Sequence, residues 1–171
     1  MSMNCKREHL LGNLRQELKQ NPFWAEKLRR GSTGDFTLHL AILREPYLRF
    51  ILEGKKTIET RFAKRPCPPF ERVSKGDVIM LKRTPGEVVG ICVVETVWFY
   101  RLDPKSVALI KSKFGRAICP ADPSFWEERK EASVATLILI DKITPVEPFK
   151  IEKRDRRGWV VFNGAEQQSL L

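Results

Sequence analysis

Apolar residues follow two different spacings along this chain, and the change between them falls near residue 36. Before it, Leu10, Leu11, Leu14 and Leu18 recur among Arg, Glu, Lys and Gln in the stripe of an amphipathic helix. Asn21-Pro22 interrupts that helix. Phe23, Trp24 and Leu28 then predict a second, short one before the small-residue stretch GSTGD at 31–35. Residues 1–35 therefore read as a helical extension. Marginal helices need a tertiary surface to persist, so the stripe is expected to pack on the domain that follows, where it could also cover one end of a groove.

From Phe36 the period becomes two. Phe36, Leu38, Leu40 and Ile42 alternate with Thr37, His39 and Ala41, as in a half-buried strand. In EPYLRFILEGK, Pro46 suits a first helical turn, Leu48, Ile51 and Leu52 share a side, and Gly54 stands where a helix is capped. KTIETRF then returns to alternation, with Ile58, Thr60 and Phe62 on one face and Thr57, Glu59 and Arg61 on the other. Pro66, Pro68 and Pro69 mark a loop, and GDVIMLKR the next strand. A long β-branched and aromatic strand follows at 86–100, where Gly90 signals a bulge or a close backbone approach. Asp103-Pro104 and Asp122-Pro123 open two short helices. SVATLILIDKITPV is a nearly continuous apolar strand, GWVVF at 158–162 closes the pattern, and the polar tail from 163 to 171 is expected to be flexible. Five or six strands of uneven length with few helices predict an α+β fold, a small mixed β-barrel over residues 36–162.

Composition narrows the function classes. The chain has 171 residues, 42% hydrophobic and 30% charged, which places it among one-domain globular proteins. Thirty-one basic against 21 acidic residues give a net charge of +10, which makes nucleic acid the leading partner class. Four scattered cysteines without a C-x-x-C pair, and only two histidines, give no basis for a metal site or another cofactor. The scattered thiols, with neither a secretory segment nor a long apolar run, lead us to expect a cytoplasmic protein without a membrane span.

Two clusters carry candidate chemistry. In LEGKKTIETRF, at 52–62, Lys55 and Lys56 precede Glu59 and Arg61, so that Lys56, Glu59 and Arg61 can converge at the mouth of a groove. A carboxylate between two cations orients them and leaves the guanidinium or ammonium to meet phosphate or a base edge. A solvated surface ion-pair cluster would show the same spacing. The second cluster, KIEKRDRRGW at 150–159, brings Arg156 and Arg157 against Trp159, cations beside a ring that either stacks on a base or anchors the core. G-x-S-x-G, P-loop, H-E-x-x-H and G-x-G-x-x-G motifs are all missing from the sequence, so an enzymatic reading rests on Lys56 as general base with Glu59 as a second acid-base group.

GKKTIETR, at 54–61, resembles the Gly-x-Lys-x-x-Glu-x-Arg signature of the ASCH domains, a family named after a homology region of a transcriptional coactivator. LREPYLRFIL before it, and GDVIML and RRGWVVF after it, are also similar to bacterial ASCH proteins, so the likeness spans roughly residues 36–162. The resemblance implies a PUA-like barrel with a cleft lined by Lys56, Glu59 and Arg61. It also implies RNA, single-stranded or locally unpaired, or else a modified nucleoside, as the partner. Some relatives hydrolyse N4-acetylcytidine and others have been described as ribonucleases. The amidohydrolases match at Lys56, their catalytic lysine, but have a threonine nucleophile where Glu59 stands. A carboxylate cannot serve as that alkoxide, so the amidohydrolase activity is not carried over.

Overall fold

The computed structural model describes residues 2–152 and 156–163, so the expected tail lies, apart from Asn163, outside the described residues. Two helices come first, α1 (Met3–Glu17) and α2 (Pro22–Arg29), each capped by the side chain of the preceding polar residue, Ser2 and Asn21. A 3-10 turn at 30–33 leads into the first strand. The remaining elements are β1 (Leu38–Leu43), α3 (Tyr47–Leu52), β2 (Ile58–Ala63), β3 (Val78–Arg83), β4 (Val88–Arg101), α4 (Pro104–Ile118), α5 (Ser124–Glu127), β5 (Val134–Phe149) and β6 (Trp159–Phe162). The six strands form one curled sheet, a half-barrel in the order β2-β5-β4-β3-β1-β6, in which only β1 and β3 run parallel.

Both faces of the β1–β3–β4–β6 part are covered, which corrects the expectation of a half-buried first strand. Leu38 and Leu40, with Val78, Met80, Ile91, Val93 and Phe162, pack against Leu11, Leu14, Trp24 and Leu28 of the helical arm. Ala41 and Leu43, with Ile79, Leu81, Cys92, Val94 and Trp159, point into the barrel. The arm therefore docks on the sheet, as its apolar stripe requires. Two polar contacts fix it: the buried Arg7 donates to the carbonyls of Gly31 and Phe36, and Trp24 Nε1 donates to Thr144 Oγ1 at 2.7 Å.

His39 belongs to the inward face. Instead of meeting solvent it is fully buried, with Nε2 2.9 Å from Asp77 Oδ2, while Trp159 Nε1 donates to Nδ1 at 3.1 Å. An indole N–H can only donate, so Nδ1 is the acceptor and Nε2 carries the proton. Asp77 also accepts from the amides of Thr37 and Ser74. A buried imidazole survives here because each of its nitrogens has a partner.

The long strands β4 and β5 bend the sheet. Their pairing shifts register at three places, the first between Val88 and Gly90. A Cβ on Gly90 would stand 3.3 Å from both Leu52 Cδ2 and Thr144 O, so the close approach expected there is real. Bulged pairing of this kind increases twist and curls a sheet. On the outer side of β2 and β5 a third cluster packs Ile58 and Leu137 beneath Ile110, Phe114, Ile118 and Phe125 of α4 and α5. Helix α4 has 15 residues, longer than expected, and starts with a capping box in which Asp103 and Ser106 bond reciprocally.

Candidate functional site

The local chain path decides where the charged cluster points. Helix α3 ends at Leu52 with Glu53 as its cap, and the chain turns away at Gly54, whose φ of 75° lies where a side chain would be strained. The amides of Lys55 and Lys56 then both return to Phe50 O, at 2.9 and 3.0 Å. This tight turn separates the two lysines. Lys55 is exposed and pairs with Glu53 at 2.6 Å, away from the residues that line the cleft below. Lys56 is 2% exposed, and its Nζ donates to Ile118 O, in the last turn of α4, at 2.8 Å. A helix C-terminus favours a cation, which helps keep this ammonium inside. Its Nζ also lies 5.5 Å from the centre of the Tyr47 ring and 3.8 Å from Glu59 Oε2.

Glu59 and Arg61 follow on the inward face of β2. Glu59 is 6% exposed and accepts from Arg61 Nε at 3.0 Å. The other Arg61 nitrogens donate to Gly158 O at 3.1 Å and Ile42 O at 3.0 Å. Since β2 is one edge of the sheet and β6 the other, Arg61 ties the two edges of the half-barrel together. Its guanidinium sits 5.2 Å from the centre of the Trp159 ring. Every nitrogen of Arg61 thus has a partner within the protein. Three of its five N–H donors are used in this way, and two are left on the terminal nitrogens of a side chain that lines the cleft described next.

These side chains form the floor of a cleft of about 870 Å³. Lys56, Glu59 and Arg61 all line it, as do Arg156 and Arg157. Trp159 does not: 3% exposed and bonded to His39, it offers no stacking face, and its indole supports Arg61 from the core. Lys153, Arg154 and Asp155 of the same basic stretch lie outside the described residues. Missed by the sequence are Arg44 and Tyr47, Lys82 at the end of β3, and Phe125 and Arg129 around α5. Arg129 lies 3.7 Å over the Phe125 ring and donates to Phe125 O. Nothing in the local sequence singles them out, because they come from separate elements that only the fold brings together.

Among the described lining residues, seven are cationic (Arg44, Lys56, Arg61, Lys82, Arg129, Arg156 and Arg157) and three anionic (Glu45, Glu59 and Glu128), so the recess is electropositive. Burial pushes the Lys56 ammonium below the ordinary lysine range. Glu59 offsets part of this, and the charges of Arg61 and Arg129 add to it. An ammonium has three hydrogens, and here one acceptor, Ile118 O, stands at hydrogen-bond distance. The floor therefore presents a donor and a carboxylate side by side at the base of a basic cleft.

Comparisons with known proteins agree with this architecture. The ASCH protein of Zymomonas mobilis, whose crystal structure shares 18% identity, aligns with a TM-score of 0.55 over 72% of this chain and 85% of that one. A serine-to-alanine variant of the same protein aligns at 0.58 and 19% identity, covering 74% of this chain and 89% of that one. A tyrosine-to-phenylalanine variant also aligns at 0.58 and 19%, over 72% and 88%. At such identities the likeness speaks for the fold. No curated protein matches the chain. The family model for the ASCH domain covers residues 42–155, well over half of the 171 residues, and the chain belongs to the ASCH domain family.

Proposed function

We propose that this protein binds RNA, single-stranded or locally unpaired, in the basic cleft. The observation that carries the reading is the lining of that cleft, seven cations against three carboxylates around a floor of Lys56, Glu59 and Arg61. The parts divide the work. Exposed Arg44, Arg156 and Arg157, with Lys82, face the rim, where phosphates run. Lys56 and Glu59 lie deeper and offer a donor and an acceptor to the edge of an unstacked base. Arg61 holds the floor in shape. A binding titration of the purified protein on mixed single-stranded RNA tests this. Affinity is expected to fall with salt at a log–log slope of about 0.7 per phosphate engaged. The double variant Arg44→Glu/Arg156→Glu is expected to weaken binding about tenfold or more and flatten that slope. Binding that ignores salt, or survives the double variant unchanged, rejects the reading.

One observation favours a second reading, a hydrolase acting on a modified nucleoside or an RNA linkage. Lys56 is buried at the floor with its basicity lowered, as a general base requires, and Glu59 stands beside it. Incubating the protein with modified nucleosides and short RNAs, read out by mass, would reveal turnover. That turnover should disappear in Lys56→Ala while the far-UV circular dichroism is unchanged; turnover persisting in this variant removes Lys56 from the chemistry.

A further inference from the structure

The outer face of α4 stands apart from the cleft. The helix has no Asp or Glu in its 15 residues but carries Lys105, Lys111, Lys113 and Arg116, all exposed. At 3.6 residues per turn, Lys105, Leu109, Ser112, Lys113 and Arg116 share one side, opposite the buried Ile110, Phe114 and Ile118. Leu109, in the middle of this stripe, is 50% exposed.

For the isolated helix this arrangement is unfavourable. Lys105 sits in the first turn, at the positive end of the macrodipole, which the capping carboxylate of Asp103 also faces. Lys113 and Arg116 are like charges three residues apart. Several surface cations elsewhere are paired: Arg29 and Arg30 with Glu26, Lys64 with Glu131, Lys75 with Glu95, Lys130 with Glu127. Among the described residues Lys105, Lys113 and Arg116 have no ion pair. Lys113 rests on the Phe114 ring, 5.1 Å from its centre. The stripe therefore presents unpaired charge to the surroundings.

The helix also ends at the cleft. Ile118 O receives Lys56 Nζ, Ala117 O receives the amide of Thr57, and the amide of Ala121 donates to Tyr47 Oη. We propose that the Lys105–Lys113–Arg116 face of α4 is a second RNA-contact surface, which holds the strand flanking the nucleotide seated in the cleft. Leu109 provides the apolar contact within it. The inference rests on the RNA-binding reading of the cleft. A 15-residue helix is about 22 Å long, enough for several nucleotides of extended strand.

The test compares two RNAs on three proteins. A trinucleotide fills the cleft alone, whereas a single strand of about 15 nucleotides reaches α4 as well. The triple variant Lys105→Gln/Lys113→Gln/Arg116→Gln is expected to bind the trinucleotide like the wild type. On the long strand it should bind about tenfold or more weakly, with a log–log salt slope shallower by about 2, three contacts at about 0.7 each. Arg44→Glu/Arg156→Glu should lose both RNAs. Long-strand binding unchanged in the triple variant, while the cleft variant fails, overturns the α4 surface and leaves the cleft reading intact. Equal loss of both RNAs in the triple variant also overturns it, since α4 would then act through the cleft. No RNA binding by the wild type rejects both proposals. Far-UV circular dichroism confirms that α4 persists in the variants; a second triple variant, Lys105→Gln/Lys113→Gln/Arg116→Lys, should recover part of the slope.

Discussion

Two polar networks are buried in the same curled sheet, and they are finished differently. Around His39 every polar atom is used: Asp77 receives Thr37 N, Ser74 N and the imidazole, and His39 receives Trp159. Around Lys56 the ammonium has one close acceptor, and its carboxylate neighbour stands 3.8 Å away, beside the cleft. Trp159 joins the two, bonded to His39 on one side and carrying Arg61 over its ring on the other. A closed network of satisfied groups holds a structure in place, whereas an open one at the base of a cleft is poised for something else. Burial of polar groups alone therefore does not distinguish the two networks; unused hydrogen-bonding capacity facing a cavity does.

The comparison can be broken at four points. Asp77→Ala should have the largest effect, about 3–5 kcal/mol of stability in urea unfolding, since it leaves His39 and two amides buried without their acceptor. A loss below about 1 kcal/mol would mean that this network is not structural. Arg61→Lys comes next, at about 2 kcal/mol, because one ammonium cannot replace a fork that reaches Glu59, Gly158 and Ile42 together. Trp159→Phe removes the donor to His39 Nδ1 together with part of a buried ring, and should cost about 1–2 kcal/mol, with RNA affinity retained. A marked fall in affinity with the stability kept would place the indole in the ligand's path after all.

The smallest effect is a pH dependence. Burial lowers the Lys56 pKa in the folded state, so over the window between that value and the usual lysine range the unfolded chain binds more protons. The penalty for the buried charge is thus fully present below the folded pKa and relieved as pH rises through it towards the unfolded value. Lys56→Met removes this term. The stability of the wild type relative to Lys56→Met is expected to rise from pH 7 to pH 10.5, and a flat difference would show that burial does not perturb this ammonium.

Much of this was legible in one dimension. The switch from helical to alternating spacing at Phe36 separated the arm from the sheet, and Gly90 announced the place where β4 meets another backbone. The cluster Lys56, Glu59 and Arg61 was identified from alternation and from its likeness to a family motif. What alternation cannot reveal is which side of a strand becomes the inside. It placed Glu59 and Arg61 together but not in the barrel, and it set His39 on a polar face that the fold buries. Arg44, Lys82 and Arg129 come from separate parts of the chain, after β1, in β3 and after α5, and meet only in the folded recess. Trp159 was ambiguous for a similar reason. An indole beside arginines looks the same in sequence whether it is laid under one of them or held out for a base.

Strand β1 pairs with β3 on one side and with β6 on the other, Leu38 facing Phe162 across 124 positions of chain. Such a sheet cannot be completed piecemeal during synthesis: until the last strand emerges from the ribosome, β1 keeps an open edge and Arg61 lacks the carbonyl of Gly158. The recess would therefore take its final shape only once β6 is in place.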